Sequence, residues 1–310
     1  MKILKTSLVD EFKCIAADCK DSCCSAGWQI DVDKKTMQKY SMSNDAFIQS
    51  INNKIEHKNG SHYFKNDDMH KCPYFRTDGL CDIVCKKGDK FLCDVCKTFP
   101  RVYNKIDDRF ELGLSLSCEE AVKILLESDK IYFVTDGISS NQLQKNSEFA
   151  DRQKLIEYVQ NPSLSTELKI AHLKEQTKFA NIDFERFKAI KGFEWLRTDL
   201  AKCFSLCDFQ FSKNIYLTDI QFENLLVNFL FEHYISPKQK YSKLAKLRFC
   251  LFSTLFCDWL AVQIGDEKIK IESGNNRTDI AIVAIKEYCR EIENSQKNMD
   301  ILLNFFEKTA

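Results

Sequence analysis

The sequence predicts a mainly α protein with a small β-hairpin, in which an N-terminal cysteine-rich domain is followed by a C-terminal helical bundle. Three observations support this fold class. Apolar stripes at helical spacing run through almost all of the second half. Ten of the 15 cysteines lie within residues 1–118. Only 9 glycines occur in 310 residues, with no G-x-G-x-x-G or phosphate-loop motif, so a doubly wound nucleotide-binding sheet is not expected.

The domain boundary is placed at a stretch without a clear periodic pattern. Residues 134–150 are polar and weakly patterned, which is typical of a linker or an extended loop. We therefore expect a cysteine-rich metal-binding domain over residues 1–133, a linker over 134–150 and a helical domain over 151–310.

Composition and charge restrict the classes of partner. The 45 basic and 45 acidic residues cancel, which argues against a general nucleic-acid or anionic-membrane binder, because such proteins carry a basic excess. The N-terminal segment lacks the apolar run of a signal peptide, and no stretch reaches the roughly 18 uninterrupted apolar residues of a membrane helix. We expect a cytoplasmic protein with no nucleic-acid and no membrane partner. Thiols stay reduced there, so 15 cysteines predict metal or redox chemistry.

Short elements are expected to connect the cysteines of the first half. Asp31 or Asp33 is suited to cap a helix, because a carboxylate can accept the free backbone N–H groups of the first turn. A turn at Asp78-Gly79 would return the chain between two cysteines, since this dipeptide tolerates positive φ. The other predicted elements are a helical piece through Phe47, Ile48, Ile51 and Ile55, a helix Lys90–Thr98 ended by Pro100, a β-hairpin within Val102–Leu116 around Asp107-Asp108, and a helix opened by Cys118-Glu119-Glu120.

The second half reads as a series of amphipathic and buried helices. Its most hydrophobic segment, Leu244–Ile264, is interrupted by charged residues, so we predict a core helix rather than a membrane span. Cys250 and Cys257 lie in this segment among Leu and Phe residues, where a free cysteine behaves as a small hydrophobe. The other apolar stripes are Leu155–Val159, Leu168–Leu173, Phe184–Ile190, Phe222–Tyr234, Ile280–Tyr288 and Met299–Phe306.

The two cysteine clusters of the first half are interpreted as one metal site, because thiolates are the soft ligands that zinc and iron–sulfur clusters prefer. Recognised spacings do not fit: only Cys93 and Cys96 form a C-x2-C pair, and no ferredoxin or C-x3-C-x2-C run is completed. Adjacent side chains diverge, so one of Cys23 and Cys24 is expected to be a ligand and the other a neighbour. The clusters consist of Cys14, Cys19, Cys23 and Cys24, and of Cys72, Cys81, Cys85, Cys93 and Cys96.

Several motifs carry a family resemblance. In order, they are Cys14-x4-Cys19-x3-Cys23-Cys24, Gly27-Trp28, Cys72-Pro73-Tyr74-Phe75, Gly79-Leu80-Cys81-Asp82-Ile83, Cys96-Lys97-Thr98-Phe99-Pro100-Arg101 and Leu114–Ala121. This order resembles the flagellin lysine N-methylase (FliB) family. Some elements are also shared with a broader class of zinc- or iron-chelating cysteine-cluster proteins. The segment Phe222–Phe231 resembles the family's helical part, so the resemblance covers most of the chain and is most specific in its first 120 residues.

The resemblance implies a protein-lysine N-methyltransferase that acts on flagellin, with S-adenosylmethionine as methyl donor and a cysteine-ligated [4Fe–4S] cluster. Cys85 and Cys93 are less regular members of the pattern and are interpreted as spare thiols, while Cys118 is either a ligand or a buried neighbour. The resemblance leaves open which four cysteines bind and whether methyl transfer is direct or mediated by the cluster. The ligands that it implies are drawn from Cys14, Cys19, Cys23, Cys24, Cys72, Cys81 and Cys96.

Other residues near the motifs have both a functional and a structural interpretation. Arg101 could bind a carboxylate such as that of the methionine moiety, or form a structural ion pair. The carboxylates Asp82, Glu119 and Glu120 could assist lysine deprotonation or be solvated surface groups, and no catalytic base is identified. The aromatic residues that could cover the cluster or simply fill a core are Trp28, Tyr74, Phe75 and Phe99. The alternative function is a non-catalytic binding module stabilised by zinc or iron.

Overall fold

The computed structural model describes residues 2–58, 60–137, 147–188, 190–207, 216–235, 240–269, 271, 273–274 and 276–309. The chain forms two compact units. The small unit is Lys13–Pro100, and the large unit combines Met1–Phe12 with Arg101–Ala310. Most of the structure is helical, as predicted, with two small sheets.

The helices are α1 (Leu8–Glu11), α2 (Lys34–Ser41), α3 (Ala46–Asn52), α4 (Asp82–Lys87), α5 (Asp94–Thr98), α6 (Glu119–Glu127), α7 (Ser147–Val159), α8 (Thr166–Gln176), α9 (Phe184–Lys188), α10 (Thr198–Leu206), α11 (Asp219–His233), α12 (Lys243–Gly265), α13 (Arg277–Glu291) and α14 (Gln296–Lys308). The strands are β1 (Ile3–Thr6), β2 (Ile55–Lys58), β3 (Ser61–Phe64), β4 (Arg101–Ile106), β5 (Arg109–Leu114) and β6 (Phe133–Asp136). Short 3-10 turns occupy Ala16–Asp18, Asp89–Phe91 and Phe179–Asn181.

The predicted β-hairpin is present in the large unit. Strands β4 and β5 pair antiparallel around Asp107, which has φ 53° at the turn. Two further strands extend this hairpin into a sheet of order β4-β5-β1-β6, with β1 parallel to β5 and antiparallel to β6. These distant pairings hold the start of the chain and residues 133–136 in the large unit.

The large unit has its hydrophobic core around α12. Phe252 and Phe256 in this helix are fully buried, and aromatic rings from α9, α10 and α14 pack against them. Among the described residues, one helix is long and apolar enough to cross a membrane. This helix is α12, and 83% of its most apolar window is buried inside the protein. It is a core helix here, in agreement with the sequence prediction.

The small unit is built from short elements around a second core. Asp33 caps α2 by accepting a hydrogen bond from the Thr36 backbone N–H at 2.8 Å, as predicted. The helical piece predicted to reach Ile55 is shorter: α3 ends at Asn52, and Ile55 begins β2, which pairs antiparallel with β3. The helix predicted over residues 90–98 is likewise split, because only Asp94–Thr98 is α-helical.

The boundaries of the two units, after Phe12 and Pro100, differ from the expected domain boundary at residues 134–150. The expected linker at 134–150 begins inside β6 and ends inside α7, and residues 138–146 of it lie outside the described residues. The pairing of β6 with β1 explains why the contacts around residue 134 belong to the large unit.

Candidate metal centre

Five cysteines share the core of the small unit. Cys72 and Cys93 are buried in it, with 6% and 0% of their surface exposed. Cys24, Cys81 and Cys96 are partly buried and pack against the same core. Residues from both sequence clusters therefore meet in one place, as the interpretation of a single site requires.

Backbone hydrogen bonds bring the first and second clusters together. The Cys72 N–H donates to the Cys24 carbonyl oxygen at 2.8 Å, although 47 residues separate them in the sequence. The chain then reverses at Gly79, which has φ 80° and donates its N–H to the Arg76 carbonyl oxygen at 3.1 Å. A β-bridge between Phe75 and Cys81 closes this turn, so the predicted Asp-Gly turn is confirmed.

Two of these cysteines occupy the residue before a short helix: Cys81 precedes α4 and Cys93 precedes α5. Backbone N–H groups of the first helical turn act to lower the pKa of each thiol, from Ile83 and Val84 for Cys81 and from Cys96 for Cys93. The Asp94 N–H at the start of α5 donates to Asp33 Oδ2 at 2.9 Å, which ties α5 to the cap of α2. The starts of both helices therefore favour the thiolate form of these cysteines.

The thiols form one hydrogen-bonded pair, Cys93 with Cys96, and one group of three, in which Cys24 is bonded to Cys23 and Cys72. Cys93 Sγ and Cys96 Sγ are 3.3 Å apart, and this bond lowers the pKa of Cys93 while it raises that of Cys96. A bond from Cys24 lowers the pKa of Cys72 in the same way. A bond from Cys23 acts to lower the pKa of Cys24, but its bond to Cys72 and its burial raise that pKa to about 12. In each group the hydrogen bonds therefore lower the pKa of one thiol and raise that of a neighbour.

The donor set fits thiolate ligation in its chemistry. Burial is the main cause of the raised pKa of Cys81, so a nearby cation would favour the deprotonated form of these buried thiols. Within the described ranges, however, no three His, Cys, Asp or Glu side chains are arranged to hold one metal ion. Ligands of an iron–sulfur cluster bind different iron atoms, so they need not surround a single point.

The other cysteines implied as ligands or neighbours lie outside this core. Cys14 and Cys85 are exposed, and Cys19 and Cys23 are partly buried. Cys118 belongs to the large unit, where it precedes α6 and packs against the large core. Cys93, interpreted from the sequence as a spare thiol, lies inside the cluster. Its C-x2-C spacing to Cys96 was the signal in the sequence that could have included it.

The remaining candidates mostly make structural contacts. Tyr74 is 3% exposed and packs against Phe64 at a ring distance of 5.3 Å. Trp28 packs against Phe99 at 5.5 Å within the small unit. Arg101, in the large unit, stacks on Phe12 and donates Nη2 to its carbonyl oxygen at 3.4 Å.

The carboxylates beside the motifs differ in their surroundings. Asp82 forms ion pairs with Lys86 at 2.7 Å and with Arg76 at 3.5 Å, and 22% of its side chain is exposed. Glu119 and Glu120 lie in the first turn of α6 and are partly buried. The ion pairs of Asp82 are those of a surface carboxylate, which is one of its two interpretations.

Comparison with known proteins identifies relatives of this chain. No family model matches it. The flagellar biosynthetic protein FliU of Salmonella muenchen is 34% identical over 130 residues, which cover 40% of this chain and 76% of that relative. Lysine-N-methylases of Salmonella typhimurium and Salmonella choleraesuis are each 30% identical over 161 residues. The chain belongs to the flagellin lysine N-methylase family.

Membership of this family agrees with the resemblance carried by the cysteine motifs. The match covers 50% of this chain but only 40% of each lysine-N-methylase, so this chain spans less than half of those relatives. No solved structure matches.

Proposed function

We propose that this family member is a protein-lysine N-methyltransferase that acts on flagellin in the cytoplasm, with S-adenosylmethionine as methyl donor and a [4Fe–4S] cluster. The observation that carries the proposal is the meeting of five cysteines from two distant motifs in one core, in a chain with relatives named lysine-N-methylase. The 45 basic and 45 acidic residues support a protein substrate, because general binders of nucleic acid or anionic membranes carry a basic excess.

Four cysteines are proposed as the cluster ligands. Cys24, Cys72, Cys81 and Cys96 satisfy both criteria: the family resemblance includes them, and they lie in or against the core of the small unit. Cys93 is the adjacent thiol, hydrogen-bonded to Cys96. A cluster bound there would supply electron-transfer chemistry at a site with few solvent contacts. The protein's own residues contribute the thiolates and the aromatic packing around them.

The chemistry of the substrate sets one requirement for the protein. A lysine Nζ must lose its proton before its lone pair can form a bond to the methyl carbon, and the sulfonium sulfur keeps the electrons of the broken S–C bond. A carboxylate in a partly desolvated site can take that proton, because burial raises its basicity.

The test is the methylation state of flagellin. We expect mass spectrometry to find methylated lysines on flagellin from cells with the protein and unmodified lysines from cells without it. Purified chain, reconstituted with iron and sulfide without oxygen, should transfer a labelled methyl group from S-adenosylmethionine to flagellin. Identical lysine methylation in both cell types would reject this function.

The alternative is a binding module that a metal stabilises. It is favoured by the position of Cys72 and Cys93 inside the small core, where a metal would join segments that are distant in sequence. The two functions differ in the metal expected. A brown protein containing iron and sulfide supports the cluster, while a colourless protein with bound zinc supports the module.

A further inference from the structure

Helix α11 carries three polar residues at a spacing of four, on one face of the helix. Asn224, Asn228 and Glu232 are spaced four residues apart, so they lie one above another. Asn224 has a complete structural role. Its Oδ1 accepts the Ile131 N–H at 3.3 Å, and its Nδ2 donates to the Ser128 carbonyl oxygen at 2.7 Å. Asn228 and Glu232, the next two residues along this face, have less complete hydrogen bonding.

Two acceptor oxygens on this face have no donor among the described residues. Asn228 is 1% exposed and its Oδ1 is buried without a hydrogen bond. Glu232 accepts a bond on Oε2 from Asn104 Nδ2 at 3.3 Å, while its Oε1 is buried and unbonded. A buried polar atom without a partner costs about 1–3 kcal/mol. Two such atoms one helical turn apart indicate a missing donor.

The strand opposite Glu232 is shaped to receive its carboxylate. A Cβ atom at Gly113 in β5 would lie 1.6 Å from Glu232 Oε1, which no real contact permits. Glycine at this position therefore allows the carboxylate to approach the strand backbone. Glu232 as a whole is partly exposed, whereas its Oε1 is buried.

The neighbouring cations already have partners. Arg152 donates to both oxygens of Glu111, at 2.6 and 2.9 Å, and to the Phe231 carbonyl oxygen at 2.9 Å. Arg109 also pairs with Glu111, at 2.9 Å, and His233 pairs with Glu293. Burial raises the pKa of Glu232 well above its usual value, and the carboxylates of Glu293 and Glu111 add to this. A cation at Glu232 would offset that repulsion.

We propose that Glu232 and Asn228 form the acceptor site for a primary ammonium group. This inference rests on the proposed function, which supplies two such groups: the ε-ammonium of a substrate lysine and the α-ammonium of S-adenosylmethionine. A primary ammonium has three N–H donors, which match the two orphan oxygens and leave one for a third acceptor. If the ligand is lysine, the Glu232 carboxylate takes one proton from Nζ and leaves the lone pair free for the methyl carbon.

Calorimetry with two probes tests the site and identifies its ligand. The purified full chain is titrated separately with Nα-acetyl-lysine-methylamide and with S-adenosylmethionine. Glu232→Gln keeps the shape of the side chain but removes its charge, so the Kd of one probe should rise at least tenfold. The matched control is Glu223→Gln on the same helix, because Glu223 pairs with Lys169 and should leave both Kd values unchanged. The probe that loses affinity is the ligand.

Asn228→Leu separates binding from stability. Because Asn228 Oδ1 has no partner, an apolar side chain of similar size should leave the thermal midpoint unchanged or higher, while the Kd of the same probe rises. Equal Kd values in the natural chain, Glu232→Gln and Asn228→Leu, or no binding of either probe, would overturn the proposal. Amine binding that depends on Glu232 in a chain that does not methylate flagellin would remove the proposed function and keep this site.

Discussion

At the level of single residues, packing selects among the cysteines that the sequence leaves equivalent. The family resemblance offers seven candidate ligands for four positions, and Cys24, Cys72, Cys81 and Cys96 of that set join the small core. The sequence spacing of the cysteines could not identify these four. Cys24 and Cys72 are separated by 47 residues, and their contact depends on how the chain between them folds. Cys93 joins the cluster for the same reason, since α5 places it beside Cys96.

One substitution tests this selection. Cys96→Ser replaces a soft thiolate by a hydroxyl, a poor ligand for iron, so the iron bound per chain should fall below a tenth of the natural value. Cys85→Ser is the matched control, because Cys85 is exposed in the same unit. Iron and sulfide analysis after anaerobic reconstitution measures both. Equal iron in the two variants would show that Cys96 is not a ligand.

At the level of elements, local signals predicted local structure well. The cap at Asp33, the turn at Gly79, the hairpin β4–β5 and the core helix α12 each depend on residues close in sequence. The parallel pairing of β1 with β5 joins residues more than 100 positions apart, and no local pattern encodes it. Ile55 shows the same limit. Its spacing from Ile48 and Ile51 predicts a helix, but Ile55 lies in β2 and pairs with Phe64 in β3.

A buried carboxylate holds the segment before α10 against the end of α13. Glu291 is 2% exposed, and its oxygens accept the Leu196 and Arg197 N–H groups at 2.8 and 2.7 Å. Burial raises its pKa from 4.5 to about 7. The folded state therefore binds more protons than the unfolded state within this range. The stability from this group is present at low pH and is lost as the pH rises from about 4.5 to about 7.

Glu291→Gln should remove this pH dependence. The free energy of unfolding of the natural chain should fall relative to the variant by about 3 kcal/mol between pH 4.5 and 7, whatever the constant offset between them. Urea denaturation at several pH values measures the difference. Glu185→Gln is the control, because the Glu185 side chain is 83% exposed. The free energy of unfolding of this variant should change with pH in the same way as that of the natural chain. If the difference in the free energy of unfolding between the natural chain and Glu291→Gln did not change with pH, the raised pKa of Glu291 would be wrong.

At the level of the whole molecule, the two units differ in what can stabilise them. The large unit has an extensive core around α12, whereas the small unit has short helices and a small core that contains cysteines. Small cores rarely suffice alone, so structural metals often supplement them. The sequence located the cysteines but did not predict the unit boundaries near residues 12 and 100, because these follow from the strand pairings of β1.

Metal removal should therefore loosen one unit and spare the other. Extraction of the bound metal by a chelator without oxygen is expected to accelerate amide exchange at least tenfold in α4 and α5. Exchange in α12, which lies in the large core, should stay unchanged. Hydrogen-exchange mass spectrometry before and after extraction measures this, and reconstitution should restore protection. Equal protection of α4 and α5 with and without metal would show that the thiols do not stabilise the small unit through a metal.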